Sequence, residues 1–189
     1  MKRIVSVLLI LCVFFSLGAC KKEQTISLDN MGLADYLDAR AAEGRCNWND
    51  FTSDEQMAIS QKAIDTQVTL AVSDSGVIKI VDVSGIVIEY GGSWPSEDAL
   101  VKDFPVPKNK VVYTRTLTGI MCQVALRATM DEAKAYAESL TELGFNAEVI
   151  ETENEGTYWY SAENSKKQSG AVVYEEGIMI ISVMPAEMN

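Results

Sequence analysis

Ile120-Met121-Cys122-Gln123-Val124-Ala125-Leu126-Arg127-Ala128-Thr129-Met130-Asp131-Glu132 changes its period in one step, and that change decides the fold class. Up to Ala128 the chain alternates. Ile120, Cys122, Val124 and Leu126 fall on one side of an extended segment, with Gln123 and Arg127 on the other. From Thr129 the spacing is helical, because Ala133, Tyr136, Ala137, Leu140 and Leu143 share one face. Thr129 and Glu132 have the spacing of a capping box, in which each side chain accepts from the other's backbone N–H. Gly144 is a fitting stop, since a left-handed residue after the last turn satisfies the terminal carbonyls. A strand feeding directly into an amphipathic helix, with more strands beyond, predicts an α+β fold: one long helix laid across an antiparallel sheet.

Working outward, strands are expected near 147–150, 157–162, 171–174 and 178–184, with Glu175-Glu176-Gly177 turning the last pair. Upstream, 111–117 pairs with 120–128 around Thr118-Gly119. Before that hairpin, Trp94-Pro95 opens a short helix over 96–102 with Ala99 and Leu100 inward, and Pro105 and Pro107 enforce an extended connector. Residues 93–189 thus read as a ββαββββ domain.

Residues 29–92 read as a separate ααβββ unit. Leu33, Tyr36, Leu37 and Ala41 mark a helix that stops at Gly44. A loop with Cys46 and Trp48 follows. Ser53-Asp54-Glu55-Gln56 reads as a capping box with Ser53 as cap, opening a helix on which Met57 and Ile64 share a face that Ile59 does not. Val68, Leu70 and Val72 then alternate into a meander turned by Asp74-Ser75-Gly76 and Val83-Ser84-Gly85. Gly91-Gly92 is a turn, lacking the further glycines and lysine of a phosphate loop.

The chain begins with Lys2 and Arg3 and an apolar run of about fourteen residues, shorter than the roughly eighteen that a membrane-crossing helix needs. The run ends in Leu17-Gly18-Ala19-Cys20, which resembles the lipobox of bacterial lipoproteins. The resemblance implies that residues 1–19, a signal helix, are cut away between Ala19 and Cys20. It further implies that Cys20 receives an S-diacylglycerol and an N-acyl chain such as palmitate. Two or three acyl chains make a lasting anchor where one does not. Residues 20–28 would then be a polar tether, with Lys21 and Lys22 beside an anionic surface and a reach on the order of 25 Å. The implied location is a cell membrane or outer membrane, with the folded part outside the cytoplasm and the lipid anchor as the membrane contact.

Composition excludes several function classes. The 189-residue chain carries a formal charge of −11, and two fewer positive charges without the leader. Such acidity argues against nucleic acid as a partner, since phosphate binding rewards basic patches. The sequence contains no histidine, which removes Ser-His-Asp and Cys-His catalysis and His-ligated zinc. No cofactor, metal or catalytic residue is predicted.

Trp94-Pro95, Phe104-Pro105-Val106-Pro107, Leu143-Gly144-Phe145, and Tyr160 with Ala162-Glu163-Asn164 together resemble an uncharacterised domain family of bacterial lipoproteins, over about half of the mature chain. That resemblance supports the α+β reading and carries no activity. The stretch 123–149 also resembles peptidoglycan-binding repeats of the sporulation-related type, although 165–170 is too short and polar to supply their second helix. The helix-helix-three-strand order of the first half is a topological analogy to small envelope-assembly lipoproteins.

Three further features carry candidate chemistry. Cys46 and Cys122 could pair outside the cytoplasm, closing a loop of about 75 residues worth ~4 kcal/mol in the chain-entropy picture. Cys122 on an apolar face could equally be a small hydrophobe. Glu148, Glu151, Glu153 and Glu155, with Asn154, read as a solvated acidic edge, since they lack a calcium-loop pattern. Tyr158-Trp159-Tyr160 puts two tyrosines on one side of a strand and a tryptophan on the other, giving either an aromatic platform for a sugar ring or ordinary strand core. The expected function is a non-enzymatic binding module of the cell envelope, with an envelope protein or glycan as partner. The alternatives are a peptidoglycan- or glycan-binding domain and a glycan hydrolase working with two carboxylates.

Overall fold

The computed structural model describes residues 26–185, so the leader, Ala19, Cys20 and most of the tether lie outside the described residues. Three α-helices and nine strands make an α+β fold that is mostly antiparallel sheet. Helix α1 is Leu33–Ala42, α2 is Ser53–Asp65 and α3 is Met130–Glu142. The strands are β1 (Thr69–Val72), β2 (Ile78–Val81), β3 (Val87–Tyr90), β4 (Val111–Leu117), β5 (Met121–Arg127), β6 (Ala147–Asn154), β7 (Thr157–Glu163), β8 (Ser169–Glu175) and β9 (Ile178–Met184). Among the described residues no helix is long and apolar enough to cross a membrane.

All nine strands form one sheet, in the order β1-β2-β3-β4-β5-β9-β8-β7-β6. Pairing of β3 with β4, with Tyr90 opposite Tyr113, carries the sheet without a break across the expected boundary at residues 92 and 93. After β5 the chain crosses one face as α3 and reaches the far edge at β6. It then returns strand by strand until β9 pairs with β5.

Neighbouring residues in a strand point to opposite faces, so the sheet separates two cores. Val124, Leu126, Ile181 and Val183 join Leu140 and Tyr136 of α3 in the first core, with Trp94, Leu100 and Val101 from the connector. Ala125 and Ile180 turn the other way, into a second core with Leu37 of α1, Ile59 of α2, Ile88 and Tyr90. The capping box at Thr129 forms as its spacing predicts. The Thr129 hydroxyl accepts from Glu132 N–H at 3.2 Å, and the Glu132 carboxylate accepts from Thr129 N–H at 2.7 Å.

Three local expectations are corrected, while the expected split of α2, with Met57 and Ile64 on a face that Ile59 does not share, is observed. The cap of α2 is Thr52 with Glu55, one residue before the expected Ser53 and Gln56. Both frames fit the pattern, and the carboxylate wins because it accepts from Thr52 N–H at 2.8 Å while also meeting Arg45. Gln56 instead donates to the carbonyls of Trp48 and Phe51. On α2, Ile59 and Ala63 face inward while Met57 and Ile64 are exposed. The expected helix over 96–102 is a run of turns, because the Asp98 carboxylate takes the Leu100 N–H at 2.9 Å; Leu100 and Val101 point inward and Ala99 outward. Leu143 caps α3 and is exposed. Phe145 takes its inward place, its ring tilted against Phe104 at 5.5 Å and pressed so close to Gly170 that a Cβ there would lie 2.8 Å from the ring.

Candidate functional site

Strand β7 alternates sealed and open along its length. Tyr158, Tyr160 and Ala162 belong to the first core beneath α3. The Tyr160 hydroxyl donates to the Phe145 carbonyl at 2.6 Å and meets Thr141 at 2.9 Å. The Tyr158 hydroxyl donates to Glu151 at 3.0 Å, and burial first, then that carboxylate, pushes it above the ordinary tyrosine range. The two tyrosines are therefore strand core. Trp159 lies on the opposite face, half-buried, with its indole N–H donating to Ser161 Oγ at 3.3 Å. A bond to the residue two positions on lays the indole along its strand.

Beside Trp159 lies a cavity of about 310 Å³. Its floor is a row across the sheet: Ser161 faces Ala171, and Ala171 faces Ser182. Val149, Ile150 and Met184 add apolar wall, and Glu148, Glu163 and Ser169 add polar groups. The site exists because of where the helices stop. On this face α1 contacts β3 and β4 and α2 contacts β1, whereas the cavity lies over β6 to β9 at the other end of the sheet. A bulge in β6, with Glu148 at φ 51°, interrupts the pairing between Ala147 and Ile150 beside the cavity. Bulges bend an edge strand and turn its side chains.

Ser182 is the site residue that sequence reasoning missed. It is 5% exposed, and among the described residues its hydroxyl has no hydrogen-bond partner. The signal for it was a single hydroxyl in the otherwise apolar run Ile178-Met179-Ile180-Ile181-Ser182-Val183-Met184.

A second polar constellation lies beneath α1. Arg115 donates to Asp38 at 2.6 Å and the Tyr90 hydroxyl donates to the same carboxylate at 2.8 Å. Burial lifts the Asp38 carboxyl above its ordinary range, against the downward pull of Arg115 and Tyr90. Burial likewise holds the Tyr90 hydroxyl well above the usual tyrosine range, so it remains a donor. This group ties α1 to β3 and β4, and neither cavity touches it. The other cavity, about 460 Å³, is an open trough along α2 between Trp48, Met57 and Ile64.

The remaining expected features fall elsewhere. Cys46 and Cys122 are free, buried thiols in different cores, so the pairing considered from the sequence is not formed. Burial pushes the Cys122 thiol up to about 12, leaving it protonated and unreactive at neutral pH. Glu151, Glu153 and Glu155 lie along the β6 edge and its turn, where Lys134 meets Glu153 at 2.7 Å. Among the described residues no group of acidic or cysteine side chains could hold a metal ion. No protein-family model, curated protein or solved structure matches the chain.

Proposed function

We propose that the chain is a lipid-anchored binding module of the cell envelope, non-enzymatic, whose working surface is the open side of the sheet around Trp159. The observation that carries this reading is the cavity beside Trp159, where an aromatic ring, apolar walls and several hydroxyls converge on one concave surface. Binding sites combine an apolar lining with a few placed polar groups in this way. The lipobox-like Leu17-Gly18-Ala19-Cys20 supports the anchor, and the short tether would hold the sheet close to its membrane. On this reading Cys20 carries the lipid and the partner is an envelope glycan or protein.

Two measurements test it. Cys20→Ala should abolish labelling of the chain with a fatty-acid analogue and release it from the membrane fraction; persistent labelling overturns the anchor. The wild-type chain should co-sediment with purified envelope material, and Trp159→Ala should reduce that; wild-type protein left wholly in the supernatant overturns the binding reading. A second reading, a carboxylate-dependent glycan hydrolase, draws on Glu148 and Glu163, the two acidic residues lining the cavity. Release of labelled fragments from glycan, lost in Glu163→Gln, would favour it.

A further inference from the structure

We infer that the cavity beside Trp159 is a saccharide subsite, in which the indole stacks against a pyranose ring and the Ser182 hydroxyl bonds to a ring substituent. This rests on the reading of the open sheet side as the binding surface and names the ligand class for it.

A buried hydroxyl without a partner is costly, and native proteins rarely keep one. Four buried side-chain atoms of the described residues lack partners: Arg40 Nε, Trp94 Nε1, Arg115 Nε and Ser182 Oγ. Of these, only Ser182 lines the cavity. A ligand group that donates to Ser182 Oγ or accepts from it would satisfy a hydroxyl that the chain alone leaves unsatisfied. A purely apolar ligand such as an acyl chain would leave it buried and unpaired.

The rest of the lining narrows the class. Among the described residues the lining holds no lysine or arginine and two carboxylates, Glu148 and Glu163, the latter paired with Lys167 at 2.9 Å, so the lining itself offers an anionic ligand no cationic group. Ser161 and Ser169 offer further hydroxyls. A half-buried indole lines the cavity together with serine hydroxyls and carboxylates. That combination suits a ligand with one apolar face and a polar circumference, which is the anatomy of a pyranose ring. The volume, about 310 Å³, is at the small end of ligand sites, fit for a short stretch of a glycan chain. A peptide strand would instead add to β6, the edge strand of the described sheet.

The test titrates the full chain in detergent with chitotetraose and maltotetraose, read by calorimetry, with choline as a competitor. Saturable binding of either oligosaccharide is expected. Trp159→Ala should weaken it about tenfold, the scale of a lost aromatic contact, and Trp159→Phe should restore part of that. Ser182→Ala should weaken it about threefold to tenfold without lowering the urea midpoint of the free chain. Absence of saturable binding to both oligosaccharides overturns the inference, as does binding that both substitutions leave unchanged. Displacement of the sugar by millimolar choline also overturns it, in favour of a cation held by indole and carboxylates. Wild-type chain that co-sediments with envelope material but ignores both oligosaccharides sinks the saccharide subsite alone; failure to co-sediment as well sinks the binding surface with it.

Discussion

The two sides of strand β7 receive alternate residues of one seven-residue segment and are treated in opposite ways. On one side Tyr158, Tyr160 and Ala162 disappear beneath α3, and both tyrosine hydroxyls are bonded. On the other, Trp159 and Ser161 border a cavity, and the row across the sheet from Ser161 holds a buried hydroxyl with no partner among the described residues. The difference does not come from hydrophobicity, since a tryptophan is on the open side. It comes from helix placement, because α1 and α2 end their coverage several strands short while α3 packs on β7 and β8. Where no described helix packs on the sheet, its side chains line a cavity instead of a core.

The largest test of that contrast is to hollow out the sealed side. Leu140→Ala, in α3 with no exposure, should cost about 2–5 kcal/mol in urea unfolding. Trp159→Phe on the open side should cost far less while changing ligand binding. Comparable losses would mean that Trp159 is core.

A finer test compares one hydroxyl from each side. Tyr160→Phe removes a group bonded to the Phe145 carbonyl and should cost about 1–2 kcal/mol, because that carbonyl is left unpaired in the interior. Ser182→Ala removes a hydroxyl with no partner and should be neutral or stabilising by up to ~1 kcal/mol. A destabilised Ser182→Ala would show that the hydroxyl is already satisfied in the free chain.

The smallest expected effect concerns the helices that stop short of the cavity. Glu55 accepts from Arg45 at 2.7 Å and from Thr52 N–H, and the Arg45 bond first, then the Thr52 bonds, hold its carboxyl down to about 2. Its folded value is below its unfolded one, so its contribution is fully present above about pH 4.5 and is lost as pH falls toward 2. Asp38 has the opposite sign, since burial raises it and its charged form disfavours folding as pH rises through its folded value. Carboxyl-carbon NMR titration should find Glu55 at the bottom of the series and Asp38 above the ordinary aspartate range. Arg45→Ala should return Glu55 toward its usual value.

Much of this was legible because it is local. The change of period at Ala128 and Thr129, the cap at Glu132 and the turn at Glu175-Glu176-Gly177 are fixed by neighbours a few residues apart, and the structure has them. The frame of the α2 cap was ambiguous for the same reason: Thr52–Glu55 and Ser53–Gln56 both satisfy the pattern, and the distant Arg45 decides between them. The joining of the halves was not legible. Pairing of β3 with β4 spans a proline-bearing connector, and nothing in either strand's alternation names its neighbour. The site was half legible. Alternation separated Trp159 from its flanking tyrosines, but which side would be covered depended on where α3 crosses. Ser182 became notable only once β9 was placed between β5 and β8.

The most direct measurement is amide and indole chemical-shift mapping of the isotopically labelled chain as chitotetraose is added. The Trp159 indole N–H and the amides of Ser161 and Ser182 should move together and saturate, while the amides of α3 on the sealed side stay still. Shifts centred on the Met57 and Ile64 face of α2, or no shift at Trp159 at saturating sugar, would contradict that expectation.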